Sequence, residues 1–131
     1  MELSNVVQQF IVKYIGSVDQ LEILLLLKQN PTKEWSAEEV ARTLFTQPDS
    51  VELRLSELTG NGILAQKKRD DRYWYQYGPK SLELDLAVND LEREYPKYRV
   101  TVINLIFSKP IDKIRTFADA FRFIKEDEEE K

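Results

Sequence analysis

The sequence predicts one mainly helical domain that carries a small β-hairpin. The chain has 131 residues, of which 42% are hydrophobic and 32% charged, as expected for a single globular domain. Apolar side chains recur at helical spacing over most of the length, and an aromatic run at 73–77 interrupts this pattern. Aromatic residues in a short run favour a β-strand. We therefore expect helices, then a hairpin, then further helices.

Two helices are predicted before residue 31. The first spans 3–15, ends at Gly16, and has an apolar stripe on one face. The second begins at Ser17, with Gln20 three residues later in the pattern of a capping box. Apolar residues cover nearly all sides of this second helix from Leu21 to Leu27, so we expect it to be central. The stripe of the first helix consists of Val6, Val7, Phe10, Ile11 and Tyr14.

Two shorter helices are expected next, separated by a turn. Ser36 and Glu39 form a second capping box, which begins the third helix. The fourth helix begins at Pro48 or Ser50 and ends before the glycines at 60 and 62. Three apolar side chains at i, i+4 and i+7 turn one face of it toward the core: Val51, Leu55 and Leu58.

The aromatic run predicts a β-hairpin after the fourth helix. One strand covers 63–68 and the other 72–77, with a short polar turn between them. The turn lacks the Asn-Gly or Asp-Gly pair that is typical of two-residue hairpin loops. The composition of the two strands therefore predicts the hairpin, but no signal in the sequence indicates which type of turn closes it.

This order of elements resembles the winged helix-turn-helix superfamily, and residues 17–79 are similar to its bacterial MarR and ArsR types. The resemblance rests on Ser-Ala-Glu-Glu-Val-Ala at 36–41, Pro-Asp-Ser-Val at 48–51, and Leu-x-x-Leu-x-x-x-Gly-Ile-Leu at 55–64. It implies a transcriptional regulator that binds duplex DNA in a sequence-specific manner. The fourth helix would enter the major groove, and the hairpin, or wing, would reach the DNA backbone or the minor groove.

Six residues are the DNA contacts that this resemblance implies. Arg54 can pair bidentately with guanine, and Ser50 can bond a base or a phosphate. Segment 65–80 carries five bases and two acids, so the wing can hold phosphates. The predicted contacts are Ser50, Arg54, Lys67, Lys68, Arg69 and Arg72.

The exposed face of the fourth helix supports an alternative function. Phosphates repel carboxylates, and acids and a leucine occupy positions where DNA-binding relatives usually carry basic or small polar residues. The fold also serves as a protein-interaction module. Ser50 can equally be a simple N-cap, and Arg54 an ordinary exposed side chain. The residues of this acidic face are Asp49, Glu52, Leu53 and Glu57.

Residues 84–105 carry a heptad stripe, the pattern of a helix that packs along another helix. Pro96 interrupts the helix. The stripe could pack on the first helix of the same chain or on a second copy, and we expect both contacts and a homodimer. The stripe consists of Leu84, Val88, Leu91, Tyr95, Tyr98, Val102 and Leu105. A further amphipathic helix is expected around 114–124. We expect a single domain at 1–125, with its core at 17–80 and an extension at 81–125, before an acidic tail at 126–131.

Composition argues against an enzyme. The chain has no histidine and no cysteine, which removes the usual nucleophile systems and zinc sites, and no motif indicates a cofactor. The acidic start and the absence of a long apolar run favour a cytoplasmic protein that does not span a membrane. Without the tail the acids and bases balance, so a nucleic acid would have to be held by a local patch.

Overall fold

The computed structural model describes residues 3–108, which form six helices and one two-stranded antiparallel sheet. This is the mainly helical fold with a small hairpin that the sequence predicts. In chain order the elements are α1 (Asn5–Tyr14), α2 (Val18–Gln29), α3 (Ala37–Leu44), α4 (Pro48–Gly60), β1 (Leu64–Arg69), β2 (Arg72–Tyr77), α5 (Leu82–Glu94) and α6 (Arg99–Phe107).

Helix α2 is the centre of the core, as predicted. It contacts both α4 and β2, and its leucines at 21, 24 and 27 are fully buried. The Ser17 hydroxyl accepts a hydrogen bond from the Gln20 amide, but the Gln20 side chain accepts from Gly16 N at 2.6 Å. The half of the predicted capping box made by the Ser17 hydroxyl is therefore present, but the Gln20 side chain binds the amide of Gly16 and not that of Ser17. On α1, Val6 is half exposed and so departs from the predicted inward stripe.

The two middle helices begin in different ways. The Ser36 hydroxyl accepts from the Glu39 amide and the Glu39 carboxylate accepts from the Ser36 amide, both at 3.2 Å, which confirms the capping box. Helix α4 begins with Pro48 in its first turn, and its N-cap Gln47 makes no side-chain capping bond. Ser50 lies inside the first turn of α4, so its interpretation as an N-cap is wrong.

The hairpin closes on Asp70 and Asp71, which both have positive φ angles, 53° and 62°. Positive φ at both central residues is the requirement of a type I′ turn, and aspartate tolerates it better than most residues. Trp35 extends the hairpin by pairing with Tyr75 through two backbone hydrogen bonds of 2.7 and 2.8 Å. This pairing attaches the segment between α2 and α3 to the second strand.

Helices α5 and α6 are separated at Pro96, as the sequence predicts, and both pack on α1. Four residues of the heptad stripe are buried within the single chain: Val88, Leu91, Tyr95 and Val102. The other three are partly buried against the core: Leu84, Tyr98 and Leu105. The contact with the chain's own first helix is therefore confirmed, and the homodimer stays a prediction. The amphipathic segment at 114–124 and the acidic tail at 126–131 lie outside the described residues.

Candidate functional site

The outward face of α4 carries acids and a leucine. Val51, Leu55 and Leu58 turn the opposite side of the helix into the core, where each is buried. Leu53 remains 53% exposed on the outward side. The exposed residues of this face are Asp49, Glu52, Leu53, Ser56 and Glu57. None of them is basic, so the face itself offers no cation to a phosphate.

Ser50 and Arg54 lie one turn apart on the flank of α4. Ser50 lines a small pocket of about 30 Å³ with Asp19 and Glu22 of α2. Nη1 of Arg54 lies 3.2 Å from Oε1 of Glu57, and its Nε is buried without a hydrogen-bond partner in the part of the chain described. The side chain of Arg54 is 28% exposed. Both predicted DNA contacts on α4 thus lie beside the outward face, and Arg54 is already paired.

Glu52 connects α4 to the hairpin. Its carboxylate accepts a hydrogen bond of 2.5 Å from the Tyr75 hydroxyl, which in turn accepts from Gln66 Nε2 at 3.2 Å. Burial, and then the bond to Glu52, raise the pKa of Tyr75 above its ordinary value, so the hydroxyl remains a donor at neutral pH. Glu52 therefore orients α4 against the hairpin.

The four basic residues of the hairpin are exposed, but their surroundings differ. Glu34 accepts from Lys67 Nζ at 3.0 Å and from Arg69 Nη2 at 2.8 Å. Lys68 and Arg72 make no ion pair with any residue of 3–108. The hairpin therefore presents two cations that are paired with a carboxylate and two that are available to an oxyanion. Of the available two, Lys68 lies 5.7 Å from the centre of the Tyr73 ring and Arg72 lies 5.9 Å from that of Trp74.

Comparison with solved structures identifies the fold. No protein-family model and no curated protein sequence matches the chain. HlyU from Vibrio cholerae superposes with a TM-score of 0.54 at 22% identity, over 73% of this chain and 99% of that chain. Sco5413, a MarR family transcriptional regulator from Streptomyces coelicolor, superposes with a TM-score of 0.51 at 20% identity, over 88% of this chain and 84% of its own. The chain has the winged helix-turn-helix fold.

In this winged helix, α3 and α4 are the two helices of the motif, and β1 with β2 forms the wing. We call the four basic residues of the wing the wing cations: Lys67, Lys68, Arg69 and Arg72. The sequence predicted all four as candidate contacts. The structure places all four near the turn of the hairpin, with Lys67 and Arg69 on one face of β1 and Lys68 on the other. Ser50 and Arg54 lie apart from the wing cations. Glu52 contacts the hairpin from one side of α4, and Ser50 and Arg54 lie on a different side of that helix.

Sequence reasoning missed two residues near the motif. Phe45 ends α3 with a φ of 57°, and its side chain is 94% exposed. The sequence signal that could have indicated its exposure is the position of Phe45 directly before the turn at 46–50. Glu34 was missed because its contacts with the wing depend on the pairing of Trp35 with Tyr75, which is remote in sequence.

Two other kinds of site, a metal site and a membrane-spanning helix, are absent from residues 3–108. Within 3–108 no group of three or more acidic side chains could hold a metal ion. No helix in the same range is long and apolar enough to cross a membrane.

Proposed function

We propose that this winged helix is a transcriptional regulator that binds duplex DNA, with the wing making most of the phosphate contacts. The observation that carries the proposal is the concentration of four exposed cations between Lys67 and Arg72. The likeness to transcriptional regulators supports the choice of DNA as the partner. A wing of this charge can hold phosphates without reading the base sequence.

The charge balance of the chain makes the salt dependence of DNA binding a measure of the contacts made by the wing. Acids and bases cancel in the chain without residues 126–131, so attraction to DNA must come from the local charge of the wing. Each phosphate contact contributes about −0.9 to the slope of log K against log salt. Contacts by the two wing cations without an ion pair predict a slope of about −1.8, and contacts by all four set its limit at about −3.6.

Arg54 is the residue of α4 that we propose for base recognition. To reach a guanine it must leave Glu57, and such exposed pairs contribute about 1 kcal/mol or less. A bidentate contact with guanine discriminates by about 1–3 kcal/mol against other base pairs, so breaking the Glu57 pair costs no more than the discrimination that Arg54 would supply. Ser50 faces α2, so it contributes less to recognition than Arg54.

The experiment is a fluorescence-anisotropy titration of random-sequence duplex DNA at 50–200 mM salt. We compare the wild type with Lys68→Ala/Arg72→Ala, which removes the two available cations. Lys97→Ala/Arg99→Ala is the matched control, because it removes one lysine and one arginine, both exposed, from the region where α5 meets α6. The wing variant should flatten the slope by about 1.8 and the control should not change it. No binding of the wild type at 50 mM salt, or equal binding by the wing variant, would refute the proposal.

We also propose that the regulator is a homodimer. The outer sides of α1, α5 and α6 expose large apolar side chains: Val6, Leu86, Val100 and Phe107. A groove of about 530 Å³ between α1 and α5 includes Leu84 of the heptad stripe. A second copy would cover these surfaces, whereas Leu91 is already buried in the single chain.

Sedimentation equilibrium at tens of micromolar tests the dimer. Leu86→Glu should give a folded monomer, because it places a charge on an exposed position. Leu91→Glu should unfold the chain, because it buries a charge without a partner. A wild type with a concentration-independent monomer mass would refute the homodimer.

A second candidate function is the binding of a basic protein segment by α4. The motif exposes Phe45 and Leu53 beside the acids Asp49 and Glu57, which suits a partner with both basic and apolar side chains. Leu53→Lys separates the two functions. It adds a cation to the outward face, so it should strengthen duplex binding if DNA is the partner. A Leu53→Lys variant that binds DNA no better than the wild type would favour the protein partner.

A further inference from the structure

Glu34 is an acidic residue outside the wing that contacts two of the wing cations. Its two carboxylate oxygens are divided between Lys67, at 3.0 Å, and Arg69, at 2.8 Å. The side chain remains 28% exposed, so these pairs form at the surface and not in the core. An anion that approaches the wing therefore meets Lys67 and Arg69 with an acceptor already in place.

The backbone holds Glu34 in this position. The next residue, Trp35, is 6% exposed and exchanges two backbone hydrogen bonds with Tyr75 of β2. The segment between α2 and α3 is thereby attached to the wing one residue from the carboxylate. The backbone pairing thus fixes the position of the residue next to Glu34, which reduces the freedom that the Glu34 side chain must lose to contact the wing.

The charge of Glu34 persists at neutral pH. The hydrogen bond from Arg69, and then that from Lys67, hold the pKa of the Glu34 carboxyl below its ordinary value. A carboxylate and a phosphate are both oxyanions that accept from the same lysine and arginine N–H groups. To donate to a phosphate of a polyanion, Lys67 and Arg69 therefore have to release the carboxylate of Glu34.

We propose that Glu34 is a built-in competitor of phosphate at Lys67 and Arg69, and that it sets the strength with which the wing binds polyanions. The proposal rests on the proposed function where DNA is the polyanion. In the unbound protein Glu34 lowers the number of available wing cations from four to two.

The test is the nearly isosteric variant Glu34→Gln, titrated with the random-sequence duplex at 50–200 mM salt. Glu83→Gln is the matched control, because it removes one exposed carboxylate from the first turn of α5 and changes the net charge equally. Glu34→Gln should bind about 2- to 5-fold more tightly at 50 mM salt and steepen the slope by up to about 1.8. Glu83→Gln should match the wild type within about 1.5-fold.

A mutant cycle identifies the cations on which Glu34 acts. Lys67→Ala should flatten the slope by about 0.9 in the Glu34→Gln background and by less in the wild type, where the lysine is paired. Lys68→Ala should have the same effect in both backgrounds, because Lys68 does not contact Glu34. Equal effects of Lys67→Ala in the two backgrounds would overturn the proposal.

A second probe keeps this inference separate from the proposed function. Heparin is a sulfated polyanion that presents oxyanions without base pairs, so it tests the competition even if duplex DNA is not the partner. Glu34→Gln should require a higher salt concentration than Glu83→Gln to elute from a heparin column.

Thermal unfolding of both variants verifies the fold, and Glu34→Ala replaces Glu34→Gln if that variant is unfolded. Equal or weaker binding of heparin by the folded Glu34 variant would refute the competition, whatever the duplex titration shows.

Discussion

Replacement of Tyr75 by phenylalanine tests the link between α4 and the wing. The Tyr75 side chain is fully buried, and its hydroxyl lies between the Glu52 carboxylate at 2.5 Å and Gln66 Nε2 at 3.2 Å. Tyr75→Phe preserves the ring and removes only the hydroxyl. Any change in stability therefore measures the contacts of this hydroxyl, of which the bonds with Glu52 and Gln66 are the two with hydrogen-bond geometry.

The expected loss can be worked out from the two partners. A hydrogen bond to a charged group contributes about 1.5–3 kcal/mol, and one between neutral groups about 0.5–1.5 kcal/mol. Glu52 and Gln66 are exposed residues, so water can solvate both after the hydroxyl is removed. We therefore expect the free energy of unfolding to fall by about 1.5 kcal/mol. For a chain of this length that corresponds to a fall in Tm of about 4–8 °C.

Urea and thermal unfolding followed by circular dichroism measure this loss. Tyr73→Phe is the matched control, because the Tyr73 side chain is 43% exposed on the same strand. A double-mutant cycle with Glu52→Gln should give a coupling energy of about 1 kcal/mol. A Tyr75→Phe variant within about 0.3 kcal/mol of the wild type, or a cycle without coupling, would refute the link.

Three further measurements test the fold. Phe45→Asn should raise the free energy of unfolding in urea by about 0.5–1 kcal/mol, because Phe45 has a φ of 57° and a ring that is 94% exposed. Leu91→Ala should lower it by about 2–5 kcal/mol, whereas Leu53→Ala should stay within about 0.5 kcal/mol of the wild type, because Leu53 is 53% exposed and lies outside the proposed dimer surface. Burial, and then the hydrogen bond to Asp85, raise the pKa of Tyr77, so the folded state keeps a proton that the unfolded state loses above about pH 10. Stability should consequently fall as the pH rises above about 10, and Tyr77→Phe should reduce that dependence in an alkaline unfolding series.

Local signals in the sequence determined most of the architecture. The Ser36 and Glu39 pair, the apolar spacing of α4 and the proline at 96 each act within a few residues, and the structure confirms all three. Such signals are readable because capping bonds and helix faces depend on the chain's own periodicity. The Arg54–Glu57 pair also has a local spacing, i and i+3, that the sequence contains.

Tertiary structure alone decided which charges are available at the site. Glu52 is occupied by Tyr75, 23 residues away, and no local spacing in the sequence connects the two positions. Lys67 and Arg69 are held by Glu34, whereas Lys68, between them on the strand, is not. The reason is geometric: adjacent strand residues face opposite sides, and the pairing of Trp35 with Tyr75 places the acid beside only one of those sides. Charge at the wing follows from the sequence, but its availability to a ligand follows from contacts that only the folded chain creates.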